Sequence, residues 1–408
     1  MSSSARQRWC ESRGQCPGLA WFLCFGLLLA SPSALGLSLQ VKVEGVEGQE
    51  QKNVLALLAI HQEQNDKDLT VPRLLALHRR APEQIRDALA PFGLYRVEVQ
   101  DSLKQPAQGS DRWVATYRIE PGEPVKIGSV DYQITGPGAD NPDFPTAFPM
   151  QPGDVLLHAD YEKAKGEIAT IASSQGYLDA KLVRHVVLID PVAYDARIEF
   201  HLETGPRYYL GQVTFQQDLL ADDYLRKFVD FEPGDVYDPD LLLGLQGKLI
   251  GTEYYRNVEI VPLKDQAGPD RRVPIRVVAE RNKANKYRVG VGYATDLGPR
   301  FSLDYRRRYI GPRGHKLKAE IEIAPVNQSV VAEYRIPFRN PVADYLMIRP
   351  EFYAFDTASR QGTLFKVGAV QSIATRGGWR RNLGVDYRYE DYEVSDDESN
   401  TFNGLVPH

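Results

Sequence analysis

The sequence predicts an α+β architecture that gives way to an all-β one. Three tandem β-α-α-β-β units lead into the N-terminal strands of a membrane-type antiparallel β-barrel. Three observations carry this reading. Pro152 to Val183 (PGDVLLHADYEKAKGEIATIASSQGYLDAKLV) and Pro233 to Val261 (PGDVYDPDLLLGLQGKLIGTEYYRNVEIV) repeat one another in opening, helix and closing strand. Helical periodicity then stops near Tyr287, and strand follows strand. A short apolar run with a basic prefix opens the chain.

Composition sets the frame. A chain of 408 residues exceeds one ordinary core. Hydrophobic content of 43% with 25% charged is that of folded protein. With 49 Lys+Arg against 54 Asp+Glu there is no basic surplus for nucleic acid. Tyrosine, at 22 residues against 15 Phe, crowds toward the C-terminal third.

Arg6, Arg8 and Arg13 precede the apolar run Leu19 to Ala30, which is too short for a mature membrane span. Ser31-Pro32-Ser33 breaks it, and Ala34-Leu35-Gly36 offers small residues for cleavage. Residues 1–36 therefore read as a secretory signal peptide cut after Gly36, with a retained anchor as the alternative. Cys10, Cys16 and Cys24 all lie inside it, so the mature chain is expected to hold no thiol and no disulfide. No later apolar run approaches 18 residues; any membrane crossing must use strands.

The first unit spans 37–121. Asn53 to Ile60 (NVLALLAI) gives its minor helix. Pro82-Glu83-Gln84-Ile85 is expected to open the main helix, with Ile85, Leu89 and Phe92 apolar and Gly93 as the stop. Strands follow at Leu94 to Val99 and Trp113 to Glu120. The second unit, 122–204, has a helix expected to be capped by Asp160, with Tyr161, Ala164, Ile168 and Ile171 on one face. The third, 205–283, has a minor helix at Asp222 to Val229. Its main helix, capped by Asp238, carries Leu241, Leu242, Leu245 and Leu249. A helical layer over a small sheet is an ordinary two-layer domain, and no chemistry-bearing cluster gathers in any of the three.

The stretch 284–408 is read as a partial barrel of about seven strands: 287–295, 300–309, 315–324, 329–338, 344–355, 363–374 and 379–392. They are longer than the usual globular strand and suit a bilayer crossing. Alternation is clean in most of them; 363–374 (Phe365, Val367, Ala369) is weaker, because Leu364 and Val370 interrupt the polar phase. Tyr287, Val289, Val291 and Tyr293 oppose Arg288, Gly290, Gly292 and Ala294. Leu317, Ala319, Ile321 and Ile323 oppose Lys316, Lys318, Glu320 and Glu322. Leu383, Val385, Tyr387 and Tyr389 oppose Gly384, Asp386, Arg388 and Glu390. One phase suits lipid and the other a wet lumen. Aromatics sort by strand end. Tyr287, Tyr309, Phe338, Tyr345 and Trp379 are expected at the rim near the units. Phe301, Phe352, Phe355, Phe365, Tyr389 and Tyr392 are expected at the far rim.

Enzyme signatures are missing. There is no G-x-S-x-G and no G-x-x-x-x-G-K-[ST]; GVGYAT lacks the third glycine and a following helix. Histidines show no metal-type pairing, and Asp396-Asp397-Glu398 reads as a solvated loop rather than a calcium site. No catalytic, cofactor-binding or metal site is expected.

The three units, the Tyr-rich β-region, the turn YIGPRGHKL (Tyr309 to Leu317) and the junction YRVGVGYATDLGPR together resemble the Omp85 superfamily. Its members join periplasmic POTRA domains to an outer-membrane antiparallel β-barrel. Three repeats resemble its TamA-like branch, the barrel subunit of the translocation and assembly module. The resemblance covers about 37–392. It implies a Gram-negative outer-membrane location with the POTRA domains in the periplasm. It also implies a TamB-like inner-membrane-anchored partner at the first POTRA domain, and autotransporters and other outer-membrane proteins as clients. A part in moving phospholipid outward is implied as well, and no cofactor. In the family the barrel opens between its first and last strands. That would put Tyr287, Val289, Gly290, Val291, Gly292 and Tyr293 at a lateral seam, the glycines loosening it or simply making room in the lumen. Family barrels have more strands, so the chain is expected to be C-terminally incomplete. Two other readings stay open: a two-partner-secretion transporter exporting one dedicated client, and a soluble periplasmic β-rich scaffold.

Overall fold

The computed structural model describes residues 37–106, 112–295, 298–339, 342–357, 360–375, 379–394 and 399–407. Residues 1–36, expected to be a signal peptide and holding Cys10, Cys16 and Cys24, and the acidic triplet Asp396-Asp397-Glu398 lie outside them. The chain divides into two compact units. One holds residues up to Leu89 together with Val97–Pro121; the other holds Ala90–Arg96 and the chain from Gly122 onward.

In the first unit, β1 (Ser38–Glu44) leads to α1 (Gly48–Leu57), a single turn α2 (Ala59–Gln62) and α3 (Val71–Leu89). β2 (Glu98–Lys104) and β3 (Arg112–Glu120) complete a sheet of order β1-β3-β2, with β1 parallel and β2 antiparallel to β3. Leu58, Ile60, Leu74, Ile85 and Leu89 on the helical side and Ala115, Tyr117 and Ile119 of β3 are all buried. The main helix does not open at Pro82, as expected, but at Val71. Pro72 occupies the first turn, where a missing N–H costs nothing. Pro82 sits inside the helix and forfeits one backbone bond. Burial of Ala81 and Ile85 beside it holds the helix through.

In the second unit, β4 (Lys126–Thr135), α4 (His158–Ser174), β5 (Lys181–Asp190) and β6 (Asp195–Glu203) form a sheet of order β4-β6-β5 under one helix. The expected minor helix is absent among the described residues of this repeat. Pro137, Pro142, Pro145 and Pro149 impose turns, and Phe144, Phe148 and Met150 fill the space against Tyr161 and Phe200 instead. Asp160 is not the cap. α4 starts two residues earlier with Leu157 at the N-cap, and Asp160 stands in the first turn, where its charge favours the helix dipole.

The third repeat comprises β7 (Tyr209–Gln216), α5 (Asp222–Leu225), α6 (Pro239–Gly251), β8 (Tyr255–Pro262) and β9 (Arg272–Arg281), in sheet order β7-β9-β8. Here Asp238 does cap α6, accepting from the Asp240 amide at 2.9 Å, with Pro239 in the first turn. The main helices of the first two repeats end at Gly93 and Gly176, both at φ 79°. Their carbonyls accept from the amides of Val125 and Tyr208, each at 2.8 Å, so each stop also anchors the strand-bearing segment downstream of it. At the matching place in the third repeat stands Glu253, at φ 62°.

Among the described residues eight antiparallel strands follow in chain order: β10 (Asn285–Ala294), β11 (Gly298–Ile310), β12 (His315–Ile323), β13 (Asn327–Pro337), β14 (Tyr345–Asp356), β15 (Arg360–Ala374), β16 (Arg380–Val394) and β17 (Asn400–Pro407). This corrects the expected seven. β17 lacks clean alternation, with Phe402 and Val406 in one phase and Leu405 in the other, so its sequence read as a tail. Among the described residues no helix is long and apolar enough to cross a membrane.

Candidate functional site

Pairing register fixes which residues share a face, because directly opposed residues in antiparallel strands point the same way. From β10 the row Val291, Phe301, Ile323 and the row Val289, Leu303, Ile321, Val330, Phe352, Phe365, Tyr389 run across the sheet. The opposite face carries Asp304, Glu320, Lys366, Arg388 and Glu390. There Glu351 takes Arg349 at 3.1 Å and Lys366 at 3.0 Å, so the charges are largely paired. The sheet therefore has one continuous apolar face and one charged face.

β10 ends the strand order, hydrogen-bonded to β11 on one side. Tyr287 is 65% exposed and Val291 85%, and the Tyr287 ring stacks on Tyr305 with centroids 5.1 Å apart. Val289 and Tyr293 share that apolar face. Gly290 faces Ser302, whose hydroxyl would meet an added Cβ at 2.5 Å; around Gly292 nothing lies within 4 Å. Neither glycine is demanded by backbone crowding.

Of the girdle residues, Phe301, Phe352, Phe365 and Tyr389 lie on the apolar face, and Trp379, 79% exposed, stands just before β16. Tyr345, Phe355 and Tyr392 do not join them. They fall on the charged face, where Arg335 lies over Tyr345 at 5.0 Å. Arg360 sits there between Phe355 and Tyr392, at 4.9 and 4.0 Å. Strand end set their expected place, but strand parity decides the face. Tyr309 also departs. A register shift between Arg307 and Ile310 re-aims it onto the third repeat's core, and its hydroxyl donates to the Asn282 carbonyl at 2.9 Å. Phe338 is half-buried, its carbonyl accepting from the Lys227 ammonium at 3.1 Å.

These last contacts belong to a joint that the sequence did not reveal. The turn Gly311-Pro312-Arg313-Gly314 docks onto the third repeat. The Ala221 amide donates to the Pro312 carbonyl at 3.0 Å, and buried Tyr254 donates its hydroxyl to the Gly314 carbonyl at 2.5 Å. A Cβ at Gly314 would lie 2.6 Å from that hydroxyl, so only glycine fits the approach. Lys316 donates to the Thr252 carbonyl at 2.6 Å, and Glu253 pairs with Arg308 at 3.6 Å. One signal was available: Glu253 stands where the other repeats have a helix-ending glycine.

A second edge lies on β5, terminal in its own sheet. Val183, 66% exposed at a bulge, and Val186 and Leu188 on the solvent face leave it apolar and open. In the first unit, His78 joins Tyr117 (2.8 Å to its hydroxyl) and Asp101 (2.9 Å) in a row that ties α3 to the sheet. Burial pushes the Tyr117 phenol up, so it stays a donor. Among the described residues no His/Cys/Asp/Glu group has metal-site geometry.

The class these features define is a run of POTRA-like domains followed by the N-terminal strands of a barrel-type sheet. Residues 40–121 match the family model described as POTRA domain, TamA domain 1. Among solved structures, the fold is similar to BamA from Haemophilus ducreyi lacking POTRA domains 1–3. That match has 16% identity and a TM-score of 0.57, covering 66% of this chain and 51% of that one. BamA POTRA3–5 from Haemophilus influenzae (16% identity, 60% of this chain and 96% of that one, TM-score 0.35) also matches. So does CdiB from Acinetobacter baumannii (13%, 89% and 67%, TM-score 0.38). Only the first superposes closely enough to bear on the fold. The chain spans about half the length of that BamA structure.

Proposed function

We propose that the chain is an Omp85-type outer-membrane assembly and translocation factor of the TamA-like branch, with its repeats in the periplasm and no catalytic role. The observation that carries this is the two-faced sheet ending in β10. An apolar face meets lipid, a paired charged face meets the lumen, and a terminal strand has one hydrogen-bonding edge beyond β11. Each unpaired backbone group costs several kcal/mol in hydrocarbon, so such an edge draws in any strand able to pair with it. Clients of autotransporter type cross the periplasm as extended segments. β5, an exposed apolar edge, is suited to hold them by strand addition, where backbone bonds give affinity with little demand on sequence. A TamB-like partner at the first POTRA domain and a share in phospholipid transport extend the reading. The match of residues 40–121 to the TamA POTRA family supports that branch.

The test is a photo-crosslinking residue at Val289 in cells making an autotransporter-type client. Adducts to the client's strands are expected at Val289 and not at Val331 on the charged face. No client adduct from β10, with client insertion unchanged on depletion of the protein, would sink the proposal.

A further inference from the structure

The pairing of β13 with β14 is interrupted in one place. A single register runs from Asn327 opposite Phe355 to Pro337 opposite Tyr345, and within it only the rungs Ala332 to Pro350 and Glu333 to Arg349 are missing. Both need a Pro350 N–H on the Ala332 carbonyl, and proline has none to give. On its other side β14 pairs with β15 without a gap, Pro350 standing opposite Val367. Even-numbered residues of β14 therefore turn their amides toward β13, and odd-numbered ones toward β15. Proline in a sheet is ordinarily kept to edge strands, first residues and bulges, yet β14 has a strand on each side.

The ion pairs divide along the same line. Glu333 and Arg349 hold opposite positions across the gap, but each pairs within its own strand, Glu333 with Arg335 and Arg349 with Glu351 at 3.1 Å. Beyond the gap, carboxylates tie strand to strand. Glu351 of β14 takes Lys366 of β15 at 3.0 Å, Lys366 reaches Asp386 of β16 at 3.5 Å, and Arg360 of β15 binds Glu390 of β16. Glu351 and Glu390 are each 5% exposed, so parting these strands would strand a buried charge. Before the gap, Asp304 pairs with Arg306 of its own strand, and Glu320 with Lys318 of its own; Arg300 to Glu322, at 3.8 Å, is a loose tie between β11 and β12. The line itself is spanned by the remaining backbone rungs and by Arg335 over the Tyr345 ring. The joint to the third repeat lies wholly on the β13 side: it reaches the turn Gly311–Gly314, Arg308, Lys316 and the Phe338 carbonyl.

We propose that the line between β13 and β14 is a hinge. β10–β13 turn with the third repeat as one leaf, and β14–β16 hold together as the other. A movement of the third repeat then carries β10 with it. The hinge stands on pairing and charge alone and needs neither client nor lipid, so it holds or fails independently of the assembly role.

The test uses the full chain in detergent with Cys10, Cys16 and Cys24 changed to Ser. Nitroxide labels are placed at exposed positions, Asn257 with Ile323 in one sample and Asn257 with Tyr389 in another. The first pair lies within one leaf and is expected to give a narrow distance distribution; the second spans the hinge and is expected to be about twice as broad. Residue-resolved hydrogen exchange supplies a second reading. The Ile348 and Phe352 amides, which face β13 on either side of the gap, are expected to exchange about tenfold faster than those of Glu351 and Tyr353, which face β15. Pro350→Val restores the N–H at an exposed position. It should narrow the second distribution, remove the exchange difference and leave the first pair unchanged. Pro350→Ala should do the same with a smaller side chain. Should either variant disturb the first pair, the two widths and the exchange rates of the parent decide. Equal widths and equal exchange in the parent, or a second pair that stays broad in both variants, overturn the hinge.

Discussion

Tyr254 is 1% exposed beside Tyr224, and its hydroxyl donates to the buried carbonyl of Gly314. Burial pushes this phenol up to about 12, against a smaller opposing effect of the Tyr224 hydroxyl, so it remains a donor throughout the range in which the protein works. Tyr254→Phe would keep the ring and leave the Gly314 carbonyl buried without a partner, a loss of about 1–3 kcal/mol. The cost should fall on the joint. Hydrogen exchange at the Ala221 amide, which donates to Pro312, is expected to quicken about tenfold or more, while the His78-linked first unit is unaffected. Unchanged exchange at Ala221 would mean the turn is held by its other contacts. Gly314→Ala is expected to be worse, because it adds a clash with the same hydroxyl to a backbone at φ 65°.

Elements were legible where local chemistry and tertiary packing agree. Asp238-Pro239 marks α6 because cap and first turn suffice; Pro82 misleads because packing carries α3 through it. The minor helix of the second repeat was overwritten by prolines whose neighbours Phe144 and Phe148 plug the core, and β17 was lost to its blurred alternation. The apolar β10 face could be read from its period, whereas Tyr309 needed the β11 bulge and Tyr345 the register. The open edge of β5 was hidden for the same reason: whether Val183 and Leu188 are buried depends on sheet order. Val183→Lys with Leu188→Lys should change stability by less than about 0.5 kcal/mol, since both are exposed, yet reduce capture of unfolded client segments in a pull-down. Equal capture would remove β5 from the proposed path. Between the second and third repeats, Asp179 accepts from Lys264 at 2.5 Å and from the Tyr208 hydroxyl at 2.8 Å. The Lys264 ammonium, then the Tyr208 hydroxyl, hold the Asp179 carboxyl below its ordinary value, and Asp179 in turn raises Lys264. The carboxyl's contribution is therefore full above about pH 4 and lost as pH falls through its lowered value; the lysine's is full below about pH 10 and lost above. Both groups are about a third exposed, so the effect is small. Spin labels on the two repeats should report one distance distribution across neutral pH and a broader one once the pH falls through the carboxyl's lowered value. Asp179→Asn should broaden it at every pH.

The whole molecule changes its solvent logic at Lys283. Before it, each sheet buries one face under helices; after it, Val289, Val291, Phe352 and Phe365 stand exposed on a face that no helix covers among the described residues. A continuous apolar face running from β10 to β16 is far larger than a soluble surface tolerates, and the 9–15 residues of these strands are long enough for a bilayer's hydrocarbon. The tryptophans make this testable. Of the four, Trp9 and Trp21 lie outside the described residues, Trp113 is in β3 of the first repeat, and Trp379 stands exposed just before β16, where the proposed function expects aromatic side chains to seek the membrane interface. With Trp113→Phe in a chain that begins at Leu37, Trp379 becomes the sole tryptophan emitter. Reconstitution into vesicles whose acyl chains carry bromine near the headgroup is expected to quench it strongly, and bromine placed at the chain ends much less. The converse variant, Trp379→Phe, leaves Trp113, which should be blind to both lipids because its sheet is a water-exposed layer under α3. Quenching of Trp113, or none of Trp379, would mean that the sheet is not set in lipid in this orientation. The apolar face would then need a protein partner to cover it, and the lipid seam at β10 would lose its physical basis.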